Sequence, residues 1–89
     1  MEFEFDPDKS EANLVKHGID FTTAQGLWLG ITTEAPALTT DEPRSIVIGK
    51  ISDKHWTAVV TTRGRKTRNI SVRRSRDTER KLYEQQVQD

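Results

Sequence analysis

The chain reads as an α+β fold, a small antiparallel sheet with two N-terminal helices and one C-terminal helix packed on one side of it. Three observations point there. Segments rich in Ile, Val, Thr and Trp recur at 44–51, 55–62 and 67–74 with only short turns between them, and consecutive strands so joined pair antiparallel. Helix punctuation brackets the segment before them, with Asp6-Pro7 opening and Gly18 closing. A further start signal at Ser75 precedes a thin apolar stripe of Leu82, Tyr83 and Val87.

Taken in order, Phe3 and Phe5 alternate with Glu2, Glu4 and Asp6, the period of a short half-buried strand. Asp6 can cap helix one, and Pro7 sits where its missing N–H costs nothing. That helix runs to about His17. Gly18 suits a left-handed cap, with Ile19 turned back onto Leu14 in a Schellman arrangement. Helix two begins at Asp20 or Thr22 and ends near Gly30. Residues 31–43, with two prolines and four threonines, suggest an irregular edge strand and a loop. Ser52-Asp53-Lys54 turns the first hairpin and Gly64 the second. In the strand at 67–74, strict alternation sends Ile70 and Val72 to the core and Asn69, Ser71 and Arg73 outward. The last helix covers about 76–87, supported by an Asp77–Lys81 pair.

With 89 residues the chain predicts a single domain, 1–89, of modest stability. Its apolar content of 33% describes a lean core. The absence of cysteine excludes a disulfide framework, a thiolate metal site and a thiol nucleophile. No apolar run approaches the roughly 20 residues of a membrane span. The acidic N-terminus also lacks the pattern of a signal peptide, so the cytoplasm is the expected location. No phosphate loop, HExxH, GxSxG or EF-hand pattern occurs, and two histidines at 17 and 55 make a weak metal site, so no cofactor and no metal are expected.

A formal net charge of zero conceals strong polarity. Residues 1–43 carry nine carboxylates and two lysines; residues 44–89 carry twelve cations and five carboxylates. Seven of those cations, Arg63, Arg65, Lys66, Arg68, Arg73, Arg74 and Arg76, fall in a stretch without a carboxylate. Guanidinium groups keep their charge and meet phosphate oxygens bidentately, so an Arg-biased hairpin suits nucleic acid. The same cations would equally pair with the acidic half, form a solvated face, or meet an acidic protein partner.

A second cluster lies on helix one, where Lys9, Asn13, Lys16 and His17 share a face by their three- and four-residue spacing. RNA cleavage requires activation of a 2′-OH, charge stabilisation at phosphorus and protonation of a leaving oxygen, roles open to His, Lys, Arg and Tyr. His17 alone also reads as a helix-end residue favoured by the dipole. His55, opening a strand beside Trp56, reads as a packing residue. Glu79 and Tyr83 share one side of the last helix at i, i+4, where Tyr83 is either a proton donor, a stacking platform or a core residue.

These blocks in order resemble the BrnT toxins of bacterial type II toxin–antitoxin systems. The residues concerned are Phe3-Glu4-Phe5-Asp6-Pro7 with Lys9, Asn13 to Ile19, Arg44 with Ile46 to Gly49, Val59 to Arg63, Arg68 with Ile70 to Arg74, and Glu79 to Tyr83. The resemblance implies a RelE-like fold, metal-independent endoribonuclease activity that halts translation, and a cognate BrnA-like antitoxin that also binds operator DNA. On that reading Arg63, Arg68, Arg73 and Arg74 grip phosphates, with Arg65, Lys66 and Arg76 in the same RNA-binding set. Lys16 and His17 are then candidates for proton transfer, joined by Glu79 and Tyr83. A gyrase poison on the same fold, a module that binds nucleic acid without cutting it and a pure interaction protein are the competing classes.

Overall fold

A computed structural model describes residues 2–37 and 43–88. The expected loop therefore lies partly outside the described residues, at 38–42. The elements are β1 (Glu2–Glu4), α1 (Pro7–His17), α2 (Phe21–Ala24), a 3₁₀ turn (Gln25–Leu29), β2 (Thr33–Pro36), β3 (Ser45–Ile51), β4 (Lys54–Arg63), β5 (Lys66–Arg74) and α3 (Asp77–Gln88).

The α+β class stands, with corrections to its detail. The sheet has five strands in the order β1-β5-β4-β3-β2, and β1 runs parallel to β5, so it is mixed rather than antiparallel. Short turns dictate antiparallel pairing only between sequence neighbours, whereas β1 meets the strand most distant from it. Helix two is a single α turn followed by a 3₁₀ turn, because Thr22, Thr23 and Gly26 are poor helix formers. Asp20 is its cap, accepting the Thr23 N–H at 2.7 Å. The helices also lie on both faces. Ala58 sits in the core with Phe21 and Leu27, while the adjacent Thr57, on the other face by strand alternation, meets Glu79 of α3.

Helix α1 starts as its sequence dictates, with the Asp6 carboxylate accepting the Asp8 N–H at 2.9 Å and Pro7 in the first turn. Its end differs from expectation. Gly18, at φ 82°, gives its N–H to the Leu14 carbonyl alone, the αL motif, and Ile19 turns into the core instead of onto Leu14. The buried side chains of α1 are Ser10 and Asn13, so polar groups anchor it. The Ser10 hydroxyl accepts the Phe21 N–H at 2.9 Å.

Asn13 does more. Strand β1 pairs with β5 only as far as Arg68, and beyond it the Asn13 amide takes the place of a strand, donating to the Val72 carbonyl at 2.9 Å and accepting its N–H at 3.1 Å. It also donates to the Ile19 carbonyl at 2.8 Å. Replacing Asn13 by Ala strands these buried groups, and chemical denaturation should show a loss of about 2–3 kcal/mol.

The β3–β4 hairpin closes through Ser52 and Asp53, both at positive φ, which matches the right-handed twist of the strands. The β4–β5 hairpin closes through Gly64 and Arg65, with positive φ only at Gly64. Between β4 and β5 a bulge interrupts the ladder: Val59 pairs with Ser71 and Val60 with Asn69, leaving Ile70 as the extra residue. Strict alternation therefore fails there. Asn69 is buried at 2% exposure, not outward, and Ile70 is only half-buried.

At the start of α3, Arg76 rather than Ser75 is the cap residue, since its carbonyl accepts the Arg80 N–H at 2.9 Å. Ser75 bonds the Thr57 hydroxyl at 2.7 Å instead. Asp77 pairs with Arg80 rather than with Lys81.

Candidate nucleic-acid interface

The register across β4 and β5 decides which cations share a face. Thr57, Val59, Thr61 and Arg63 alternate onto the face of the sheet opposite α1, and their partners are Arg73, Ser71, Arg68 and Lys66. The bulge makes this possible. Without the extra residue Ile70, Arg68 and Lys66 would point to the opposite face from Arg73. Helix α3 covers part of this face, over Thr57 and Thr33, and Pro43 covers Thr61, whose hydroxyl donates to the Pro43 carbonyl at 2.8 Å, while Arg63 and Lys66 are exposed among the described residues.

Next to α3 the face forms a groove of about 390 Å³ lined by Arg44, Ile46, Val59, Arg73, Arg76 and Glu79, with Pro36 and Ala37 on its rim. Its centre is a bidentate pair. Arg73 Nη1 and Nη2 donate to Glu79 Oε1 and Oε2 at 2.7 and 2.8 Å. The same carboxylate accepts the Arg76 N–H at 2.8 Å and the Thr57 hydroxyl at 3.1 Å. The hydrogen bonds from Arg73 outweigh burial and hold the Glu79 carboxyl down to about 2, with the Arg76 N–H and the Thr57 hydroxyl adding to them. The reciprocal bond from Glu79 raises the pKa of Arg73. Both groups are therefore charged at any working pH.

A second groove, of about 200 Å³, lies between α1 and the bulge, lined by Lys9, Ala12, Asn13, Lys16, His17, Ile70 and Ser71. Ser71 joins the two grooves, since it lines this one while its cross-strand partner Val59 lines the other. Directly paired side chains stand about 5 Å apart. The Ser71–Val59 pair thus stands between the Lys16–His17 groove and the Arg73 groove.

The expected site residues divide accordingly. Arg73, Arg76 and Glu79 come together in one groove and Lys16 and His17 in the other. Arg63, Lys66 and Arg68 extend the open face along β4 and β5, Arg68 bridged to Glu4 at 3.7 Å. Arg65 is exposed in the hairpin turn. Arg74 is not brought to this face: alternation sends it over the Trp56 ring, at 5.4 Å from the centroid. Tyr83 is 5% exposed and packs edge-to-face on His55 at 5.5 Å, away from the lining of both grooves. His55 in turn bonds Glu84 at 2.7 Å. Among the described residues no group of His, Asp and Glu is gathered as a metal would need.

Arg44 is the groove residue that sequence reasoning did not select. It stands nineteen positions before Arg63 and only the pairing of β3 with β4 carries it there. Its sequence signals were its place as the first cation after the acidic half and its position ahead of the Ile46 to Gly49 block.

A comparison with family profiles matches residues 5–79 to the ribonuclease toxin, BrnT, of type II toxin–antitoxin systems. The chain belongs to the BrnT family. A search of curated proteins gives no significant match. As a BrnT-family ribonuclease toxin, the chain has RNA as its substrate and an antitoxin as its partner. The matched span begins just after β1, takes in α1 to β5 and ends at Glu79 in α3, so it contains the residues that line both grooves. No helix among the described residues is long and apolar enough to cross a membrane.

Proposed function

We propose that this BrnT-family chain is a metal-independent endoribonuclease, one domain in extent, that cuts RNA held across Ser71 and thereby stops translation. The observation that carries this is the adjacency of the two grooves. One offers Lys16 and His17, which can move protons; the other offers Arg73, Arg76 and Arg44, which can compensate charge.

A scissile phosphate over Ser71 and Val59 lies within reach of both sets. Attack of the ribose 2′-oxygen on phosphorus forms one P–O bond as the bond to the 5′-oxygen breaks. The 2′-OH gives up a proton and the departing 5′-oxygen gains one. His17 and Lys16 serve these two transfers, an imidazole being able both to accept and to donate a proton. The arginines stabilise the negative charge that builds on the phosphoryl oxygens, which is the service a metal ion would otherwise supply. Arg63, Lys66 and Arg68 hold flanking phosphates along β4 and β5. Tyr83 and Arg74 belong to the packing of the fold rather than to the cut.

The antitoxin, in this reading BrnA-like and itself the operator-binding subunit, neutralises the toxin in the cytoplasm by covering the open basic face. The test of the activity is incubation of the purified protein with RNA in the presence of a chelator. Cleavage that persists supports the metal-independent reading, and cleavage that stops until a divalent ion is restored overturns it. Binding should also be strongly salt dependent. Replacing Arg63, Lys66 or Arg68 singly by Ala should lower the slope of log K against log salt by about 0.7 each on single-stranded RNA. An unchanged slope would remove that cation from the binding track.

A further inference from the structure

We infer that Glu79 is a positioning residue, one that fixes the Arg73 guanidinium as a rigid phosphate-directed donor and takes no proton in the reaction. The inference rests on the ribonuclease reading of the groove and assigns the division of labour within it.

The geometry carries it. Glu79 Oε1 already accepts from Arg73 Nη1, the Arg76 N–H and the Thr57 hydroxyl, and Oε2 accepts from Arg73 Nη2. A carboxylate with four donors, on a residue only 9% exposed, has little left to offer a substrate. Its function is visible in what it joins. One side chain ties the first turn of α3 to Thr57 of β4 and Arg73 of β5. The bond from Glu79 back to the Arg76 N–H is half of a capping box, so the helix start and the arginine are set by the same atom.

Arg73 is left with a defined remainder. Of its five N–H donors, two face Glu79 and a third lies 3.4 Å from the Arg74 carbonyl. The Nε–H and the second N–H of Nη2 remain for a phosphate, in a plane fixed by the bidentate pair. Such a donor needs no reorganisation when charge develops, which favours the transition state over the ground state. Arg76, which shares the groove, meets Glu79 through its backbone N–H. The low pKa of Glu79, about 2, agrees with a group that stays ionised throughout the cycle.

The test combines kinetics and NMR on Glu79→Gln, Glu79→Asp and Thr57→Val, each checked for folding by circular dichroism. Steady-state cleavage by Glu79→Gln should show kcat reduced about 100-fold with KM changed by no more than about threefold. Its pH profile should keep both limbs of the wild type, and Glu79→Asp should recover part of the rate because the charge is restored. Thr57→Val keeps the ion pair and should lose no more than about fivefold in kcat. A folded Glu79→Gln protein with wild-type kcat, or one that loses the acidic limb of the profile, would overturn the inference. Should wild type fail to cut RNA at all, the ribonuclease reading falls by itself, and the guanidinium NMR signals of Arg73 decide the positioning role independently. Slowly exchanging, dispersed signals that collapse in Glu79→Gln support it; signals already averaged in wild type refute it.

Discussion

Arg73→Ala is expected to reduce RNA cleavage by about 10²–10³-fold, the loss typical of removing one preorganised donor from the site of developing charge. The expectation follows from position and restraint together. Arg73 projects from the face where it meets α3, two residues along β5 from Ser71, and is held there by two bonds of 2.7 and 2.8 Å. Removing it also strands a buried carboxylate, so the variant should lose about 1–3 kcal/mol of stability at neutral pH. Arg73→Lys separates the two effects. Lysine keeps a positive charge near Glu79 but cannot hold the planar, bidentate geometry, so a stable Arg73→Lys protein should still cut poorly. Full cleavage by Arg73→Lys would mean that charge alone suffices, and full cleavage by folded Arg73→Ala would place the reaction elsewhere.

Stability should fall in acid through Glu79, and the sign follows from the direction of its shift. The folded-state pKa, about 2, lies below the ordinary value of 4.5, so protonation favours the unfolded chain. The stabilisation is complete above pH 4.5 and is lost as pH falls from there toward 2. Its size is at most about 3 kcal/mol, from the energy equivalent of one pKa unit. For a small domain of lean core that is a large share of the total. Urea denaturation across this window should show wild type losing stability more steeply than Glu79→Gln, which begins less stable and has no carboxyl to titrate at this position. Parallel curves for the two proteins would show that the Arg73–Glu79 pair contributes nothing measurable.

Much of this molecule is legible without coordinates, and the legible parts share a cause. The cap at Asp6, the stop at Gly18, the two hairpins and the last helix are set by residues within a few positions of one another. So is the concentration of cations between Arg63 and Arg76, which names a polyanion as ligand before any fold is known. Contiguous blocks from β1 to α3 likewise suffice to show the family, which the match over residues 5–79 establishes.

What the sequence could not order is the composition of the face. Counting by twos along β5 places Asn69 outward with Ser71 and Arg73. A single unpaired residue, Ile70, reverses the alternation, buries Asn69 and carries Arg68 and Lys66 round to join Arg73. Bulges arise from the competition of whole strands for register and from what packs beyond them, here Asn13 of α1 completing the edge at Val72. No local pattern reports that competition. The same holds for Arg44, delivered by strand pairing, for the parallel β1, and for Tyr83, turned inward against His55. The sequence by itself determined the elements, their order and the kind of ligand. Tertiary packing decided which cations stand together and which carboxylate holds them, because those depend on register between segments far apart in the chain.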